Sequence, residues 1–403
     1  MPMIHYFNPG NETAILNESR YYQPANNQIK MLEELAFLPA WYANPNDFVL
    51  VKNNFSIDFL QKLNQLKPIA QAITLSDFIH RKENWNQQEV CFWGIAPNVI
   101  HLFEKINQEY NLDIQIPEWK AELKELSSRY SAHFILEKLI RAIPKIEKDI
   151  LPVFFYSIDD LEKQVISSQY KSVVKSPYSS SGRGLSWLPP KQLAQSERQI
   201  IGGMLKKQKT VSLEKALDKI FDFSAHFEIS KNKTIHFIGY SLFETNNKGA
   251  YEKSLLFSQK EIEEKIRSFI DKALIFDTIN RLKKLLQERY SGFYSGNIGI
   301  DMMIYQSENT YKLHPCVEIN MRKSMGYLAM QLQKNHIRDD SFGYFSIEYN
   351  KSSQDTYKQY IEMSNQFPLI TENGLIKSGY LNLCPVTEDS NYHAYIKIKS
   401  RIK

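Results

Sequence analysis

With 403 residues, 43% of them hydrophobic and 24% charged, the chain is long enough for two or three domains and has the make-up of a soluble globular protein. Its 23 Tyr and 23 Phe exclude long disordered stretches, and a net charge of +5 spread along the chain leaves no footprint for a nucleic-acid partner. Three widely spaced cysteines, Cys91, Cys316 and Cys384, exclude a disulfide framework or a zinc pattern; with no leader-like start and no long apolar run, a cytoplasmic, reduced protein away from membranes is expected.

From the N-terminus, residues 3–7 read as a short strand ending in the turn chemistry of Asn8-Pro9-Gly10. A helix over Asn27 to Leu38 follows, then a buried strand over Asp47 to Val51, a helix over Ile57 to Leu66 and a strand over Ile69 to Leu75. The apolar run Val90 to Gly94 precedes a helix over Asn98 to Glu109. Strands alternating with helices predict a parallel α/β sheet, whose ligands bind beyond the carboxyl ends of its strands. Asn8 to Glu12 and Trp93-Gly94 fall at such ends, although structural turns explain them equally well.

Trp119 to Ile143 is strongly helical in pattern, with Ser127-Ser128-Arg129 inside it. Pro144 and Pro152 punctuate its exit. Next come a strand at Val153 to Tyr156, a helix over Ile158 to Ser167 and a β-branched strand over Lys171 to Lys175. The strand ends in Lys175 and opens into a loop of small residues, Ser179-Ser180-Ser181-Gly182-Arg183-Gly184. Small residues let backbone N–H groups approach phosphate oxygens, and a strand-end lysine can meet a phosphate as a point charge. Neither Gly-x-x-x-x-Gly-Lys-Ser/Thr nor Gly-x-Gly-x-x-Gly is present, and a flexible turn is the plain alternative. A helix including Leu193 to Gln199 and a strand over Leu205 to Ser212 complete this part.

Ser224 to Ile229 and Thr234 to Tyr240 alternate as a hairpin around Ser230-Lys231-Asn232-Lys233. A polar loop over Glu244 to Gly249 follows, with Lys248 in it and Tyr251 just beyond, and reads as a solvated loop. Helices are predicted over Ser258 to Ser268 and Ile275 to Tyr290. Gly299 to Tyr305 and Leu313 to Arg322 then form a hairpin around the polar stretch Gln306 to Thr310. Glu318 and Asn320, two apart, share one strand face; Asp301 lies on the other arm. Asp, Glu and Asn oxygens on one face make a hard-oxygen site that suits Mg²⁺, while ordinary polar residues on a solvent-facing hairpin remain the bland alternative. Beyond a helix at Tyr327 to Gln333, strands are predicted at Tyr344 to Tyr349, Leu375 to Leu383 and Tyr392 to Ile398, without a chemical motif.

The strand lysine, the Ser/Gly loop and, about 120 residues later, Asp followed by Glu-x-Asn resemble the ATP-grasp superfamily over roughly residues 130–330. The resemblance implies an α/β (α+β) chain: an N-terminal α/β domain (1–125) on the substrate side, a small lobe (126–215) with the phosphate loop, a large lobe (216–330) with the metal hairpin, and a C-terminal extension (331–403) completing that lobe. It implies ATP and Mg²⁺ as cofactors. Lys175, Ser179, Ser180, Ser181, Gly182 and Arg183 would hold phosphates, and Asp301, Glu318 and Asn320 would hold the metal. Arg322, two residues past the Asn, would contact the reacting phosphate. Glu214 is the candidate beside adenine and ribose, although the usual acidic pair is missing around it. In several such proteins an arginine placed like Arg129 contacts substrate or phosphate; a solvated helix face explains it as well.

The implied activity is C–N bond formation by a carboxylate–amine ligase through an acyl phosphate, on small molecules such as an amino acid or short peptide. A small-molecule kinase and a non-catalytic nucleotide-binding regulator stand as alternatives, and a homodimer is left open. One conflict is visible in the sequence. A symmetric turn would set Asp301 near Pro315, about three residues or roughly 10 Å from Glu318. Only a bulge or an asymmetric loop would bring them together.

Overall fold

The computed structural model describes residues 2–81, 85, 87–179, 182 and 184–401; Ser180, Ser181 and Arg183 of the expected phosphate loop lie outside the described residues. The chain divides into two compact units, Met1–Trp119 with Lys253–Glu261 and Arg322–Lys403, and Lys120–Glu252 with Ile262–Met321.

In the first unit, β1 (Ile4–Tyr6), β2 (Phe48–Val51), β3 (Gln71–Thr74) and β4 (Val90–Phe92) form a parallel sheet in the order β3-β2-β1-β4. Parallel neighbours need crossovers, and helices Asn26–Glu34, Ile57–Leu63 and Leu75–His80 lie on them. At the carboxyl end of β1, Gly10 takes φ 78°, and a Cβ there would fall 2.5 Å from the Gln28 amide. That turn aims Asn8 back at β4, where its amide donates to the Gly94 carbonyl at 2.6 Å and its oxygen accepts the Gly94 N–H at 3.2 Å.

In the second unit, β5 (Val153–Phe155), β6 (Ser172–Lys175), β7 (Leu185–Leu188) and β8 (Val211–Lys215) form an antiparallel sheet in the order β5-β8-β6-β7. Leu161 and Val165 of one helix and Ile201 of another close its core with Val174, Leu188 and Val211. The strands β9 (Asp218–Ile229) and β10 (Ile235–Thr245) pair antiparallel. Strand β11 (Tyr251–Leu256) leads out to the first unit, and β12 (Gly296–Ser307) and β13 (Thr310–Asn320) return as the hairpin, with β12 paired to β9.

Back in the first unit, β11 pairs with β14 (Ser341–Tyr349), which pairs with the last strand, β17 (Tyr392–Ser400). β15 (Ile370–Glu372) and β16 (Leu375–Asn382) lie beyond β17. Leu328, Leu332, Phe345, Leu381 and Ile396 share one hydrophobic core with Phe7, Leu35, Trp41 and Val49. The stretch after Met321 therefore buries its apolar face with the N-terminal sheet.

Two expectations change in ways that matter for the site. The helix expected over 119–143 is two helices, Glu122–Leu126 and Arg129–Ala142. The hydroxyls of Ser127 and Ser128 donate to the Leu123 and Glu125 carbonyls, at 2.7 and 2.6 Å, and Ser128 turns to extended backbone. Serine hydroxyls compete for the carbonyls of the preceding turn, and here they end it. The strand expected from Leu205 begins only at Val211, because the preceding helix runs from Gln195 to Gln208. Gly202 and Gly203 sit on an open face of that helix, with nothing within 4 Å of where a Cβ would stand. Helix Ser353–Gln366 was not foreseen. Among the described residues no helix is long and apolar enough to cross a membrane.

Candidate active site

The hairpin resolves its register conflict by an irregularity. From Ser307↔Thr310 to Met303↔His314 the ladder is even; β12 then advances two residues while β13 advances four, so that Asp301 stands opposite Glu318. Pro315 lies in the expanded stretch, where it has no N–H to give to the ladder. Directly opposed residues of an antiparallel pair share a face, with Cβ atoms about 5 Å apart, and Asn320 joins them from two residues on. The Asn320 amide donates to Asp301 Oδ2 at 3.1 Å, and Ser224 Oγ, from β9, donates to Asp301 Oδ1 at 2.6 Å. Among the described residues no cluster of three or more His, Cys, Asp or Glu side chains stands ready for a metal. The set is instead two carboxylates and an amide oxygen. That suits an ion which takes few protein ligands and completes its shell with phosphate and water, as Mg²⁺ does. Cys316 in the same strand is buried and donates to the Ala132 carbonyl; burial pushes its thiol up, so it is a packed group and not a nucleophile.

Lys175 ends β6, and Glu214, on the adjacent strand β8 opposite Val173, supplies the partner. Lys175 Nζ lies 2.5 Å from Glu214 Oε2, with the two side chains 11% and 9% exposed. Burial works against charge on Glu214, but the ammonium of Lys175, then the guanidinium of Arg129, hold its carboxyl below the ordinary value. Glu214, expected beside adenine and ribose, is thus the counter-ion of Lys175 in this structure, and Ser212 Oγ donates to its other oxygen at 3.2 Å.

The break at the two serines gives Arg129 its place. It begins the helix Arg129–Ala142, is buried, and donates from Nε to the Ser176 carbonyl at 3.0 Å and from Nη2 to Glu318 Oε2 at 3.2 Å. One side chain therefore touches both the mouth of the Ser/Gly loop and the acidic hairpin. At that mouth Ser176 N–H donates to the Gly184 carbonyl at 3.0 Å. Gly182 has φ 72°, and a Cβ on it would fall 2.7 Å from Ala250 Cα.

Lys175, Ser179, Gly182, Glu214, Asp301 and Glu318 all line one cavity of about 190 Å³, together with Arg129. That volume is below the roughly 300–1,000 Å³ usual for ligand sites, so a nucleotide would have to part its walls. Its described lining carries four cations, Arg129, Lys175, Lys215 and Lys219, and four carboxylates, Glu214, Asp222, Asp301 and Glu318. A bare polyanion would unbalance this set; one that arrives with a divalent cation disturbs it less.

Sequence reasoning missed several of these residues. Lys219 Nζ reaches Asp222 Oδ2 and Thr245 Oγ1, both at 2.5 Å. Three apart on one strand, Lys219 and Asp222 should face opposite sides. A register shift where Phe221 pairs Ile304 and Lys219 pairs Tyr305 brings them together, and no sequence signal marked it. His314 lines the cavity as well, where burial lowers it to about 4. Lys248 belongs to a self-bonded turn whose carbonyl accepts the Trp187 indole N–H at 3.2 Å. Arg322 falls in the first unit, where its guanidinium bonds to Glu12 and donates to the Lys323 carbonyl at 3.0 Å.

No family model matches the sequence, and no curated protein matches it. Solved structures do resemble the fold. N5-carboxyaminoimidazole synthetase from Staphylococcus aureus is similar at a TM-score of 0.50 and 13% identity, covering 100% of this chain and 94% of that one. Biotin carboxylase from Campylobacter jejuni, in a β-γ-ATP complex, is similar at 0.50 and 10% identity, covering 99% and 88%. An N5-carboxyaminoimidazole ribonucleotide synthetase in complex with ADP is similar at 0.50 and 11% identity, covering 100% and 92%. Both kinds of enzyme are ATP-grasp proteins, and over its whole length this chain has the ATP-grasp fold.

Proposed function

We propose that the chain is an ATP-dependent carboxylate–amine ligase. The observation that carries this reading is the direct pairing of Asp301 with Glu318, with Asn320 beside them, in the cavity that also holds the Lys175–Glu214 pair and Arg129. In such chemistry a substrate carboxylate attacks the γ-phosphate of ATP, giving an acyl phosphate and ADP, and an amine then displaces phosphate. No protein nucleophile is needed; the protein positions the reactants and neutralises charge.

Asp301, Glu318 and Asn320 would hold Mg²⁺, which when bound neutralises charge on the phosphate oxygens. Lys175 would exchange Glu214 for a phosphate, and Arg129 would exchange Glu318 for one, freeing the carboxylate as the metal arrives. Ser179 and Gly182 allow close backbone approach to phosphates and help to exclude water from an acyl phosphate. Arg322, two residues past Asn320, is assigned to the reacting phosphate on the strength of the sequence resemblance. The carboxylate and amine are assigned as an amino acid or short peptide.

Purified protein with ATP, Mg²⁺ and a panel of carboxylate and amine pairs should release ADP only when both are present, with an amide product seen by mass spectrometry. A phosphorylated product formed without amine would instead make it a kinase. No nucleotide binding at all would end the proposal.

A further inference from the structure

A second reactive cluster lies in the first unit. β1 and β4 run parallel with His5 beside Cys91, so both side chains leave the sheet on one face. His5 is 2% exposed, and its Nε2 shares a hydrogen bond with Asp47 Oδ2 at 3.0 Å. Asp47 is itself fixed by the N–H groups of Met3 at 2.9 Å and Asn44 at 3.0 Å. The other ring nitrogen, Nδ1, is buried. After Asp47, the Cys91 sulfur is the neighbour that most favours a proton on the ring.

On the thiol stands a lysine from 232 positions further along the chain. Lys323 Nζ lies 2.9 Å from Cys91 Sγ and 3.3 Å from the Phe92 carbonyl. The Lys323 backbone N–H donates to the Trp93 carbonyl at 3.0 Å, so main chain and side chain both tie this lysine to the end of β4. Tyr42 offers it a ring face, with the centroid 5.4 Å from Nζ. Burial opposes ionisation of Cys91, but the charges of Lys323 and His5 outweigh it and bring the thiol down to about 6. Cys316 and Cys384 are buried without such help and are pushed up. Cys91 is also the one cysteine of the three that is not fully buried.

We propose that Cys91 and Lys323 form a peroxide-reactive pair, in which the Cys91 thiolate is oxidised by hydrogen peroxide and the product is captured by the Lys323 amine as a covalent S–N bond. In the first step sulfur attacks one peroxide oxygen; the S–O bond forms, the O–O bond breaks, and the departing hydroxide takes a proton to become water. Sulfur gives up two electrons and peroxide receives them. In the second step Lys323 loses its ammonium proton to water. The amine nitrogen then attacks the sulfenic sulfur, the S–N bond forms, the S–O bond breaks, and the leaving hydroxide is protonated to a second water. The sum is thiol plus amine plus peroxide to sulfenamide plus two waters, so the protein loses two hydrogen atoms. Nitrogen and sulfur already stand at reacting distance, about 3 Å. The chemistry is independent of whatever reaction the nucleotide cavity performs.

The test treats the full chain at pH 7 with stoichiometric hydrogen peroxide, alkylates remaining thiols in denaturant with iodoacetamide, and maps peptides by mass spectrometry. The expected result is a cross-linked pair of peptides containing Cys91 and Lys323, two hydrogens lighter than their sum and released by dithiothreitol. Cys316 and Cys384 should be recovered as alkylated thiols. Lys323→Met should abolish the cross-link and slow alkylation of native Cys91 at pH 7 by about tenfold or more, as the thiolate fraction falls. Recovery of Cys91 as free thiol, as a sulfinic acid with Lys323 unmodified, or in a cross-link heavier by an oxygen atom overturns the proposal. The wild-type map decides this even if the variant folds poorly.

Discussion

Replacing Glu318 by Gln separates chemistry from stability, because the two costs can be set against each other. The side chain is 31% exposed and makes an ion pair with Arg129 Nη2 at 3.2 Å. Water screens such a half-open pair, so the loss is about 1 kcal/mol. Arg129 keeps the Ser176 carbonyl as a partner at 3.0 Å. Asp301 stands directly opposite Glu318, and like charges at such a position cost several tenths of a kcal/mol, which the substitution removes. The net change in stability should stay within about 1 kcal/mol. Turnover is another matter. Removing one well-placed electrostatic stabiliser costs about 3–4 kcal/mol, or roughly 10²–10³ in rate. ADP release measured against a Mg²⁺ titration, beside a thermal melt, reads both quantities. Unchanged turnover at saturating Mg²⁺ and ATP would refute the metal assignment, and a collapsed melt would show the carboxylate to be structural.

Arg322→Lys should lower kcat more than it weakens ATP binding, since a lysine cannot copy bidentate contacts to phosphate; weaker ATP binding with kcat intact would make Arg322 a ground-state contact. Gly182→Val should leave the fold unchanged by circular dichroism yet abolish ligation or release phosphate without product, because φ 72° and the Ala250 backbone exclude a branched side chain; full coupled activity would remove the loop from the mechanism. Lys175→Met should raise the Kd for ATP by tenfold or more, read by calorimetry, because it removes the ammonium 2.5 Å from Glu214 and leaves that carboxylate facing the phosphates; an unchanged Kd sinks the phosphate role. The buried ring of His314 has a pKa of about 4, below the roughly 6.5 of an exposed imidazole. The folded state then binds fewer protons than the unfolded one. The stability His314 supports is complete above that exposed value and falls with pH toward 4, by about 1.4 kcal/mol per unit. The urea midpoint between pH 7 and 5 should therefore drop less steeply in His314→Gln, and equal slopes would contradict the buried neutral ring.

The parts of the site legible in the sequence are those written in local periodicity. Glu318 and Asn320 announced themselves by a spacing of two in an apolar arm, and Lys175 by ending a β-branched run; the strands that carry them are Thr310–Asn320 and Ser172–Lys175. The register conflict at Asp301 was also visible, and the extra residues of β13 around Pro315 resolve it by setting Asp301 opposite Glu318. What the sequence hid is the second slip, which turns Lys219 toward Asp222. A bulge changes which face a residue occupies without changing its spacing to its neighbours, so pattern reading assigns the wrong face to everything beyond it. Arg129 was named, but its setting was hidden differently. Its helix start depends on hydroxyls that capture carbonyls of the preceding turn, and the same Ser-Ser pair reads as tolerable within one long helix. The Cys91–Lys323 contact joins residues 232 apart, through strand order alone. Pairings of that kind follow from topology, and topology is fixed by the burial of whole elements. A side chain's chemistry in this chain is therefore predictable only as far as its own strand or helix extends; which charge it meets is decided by the sheet.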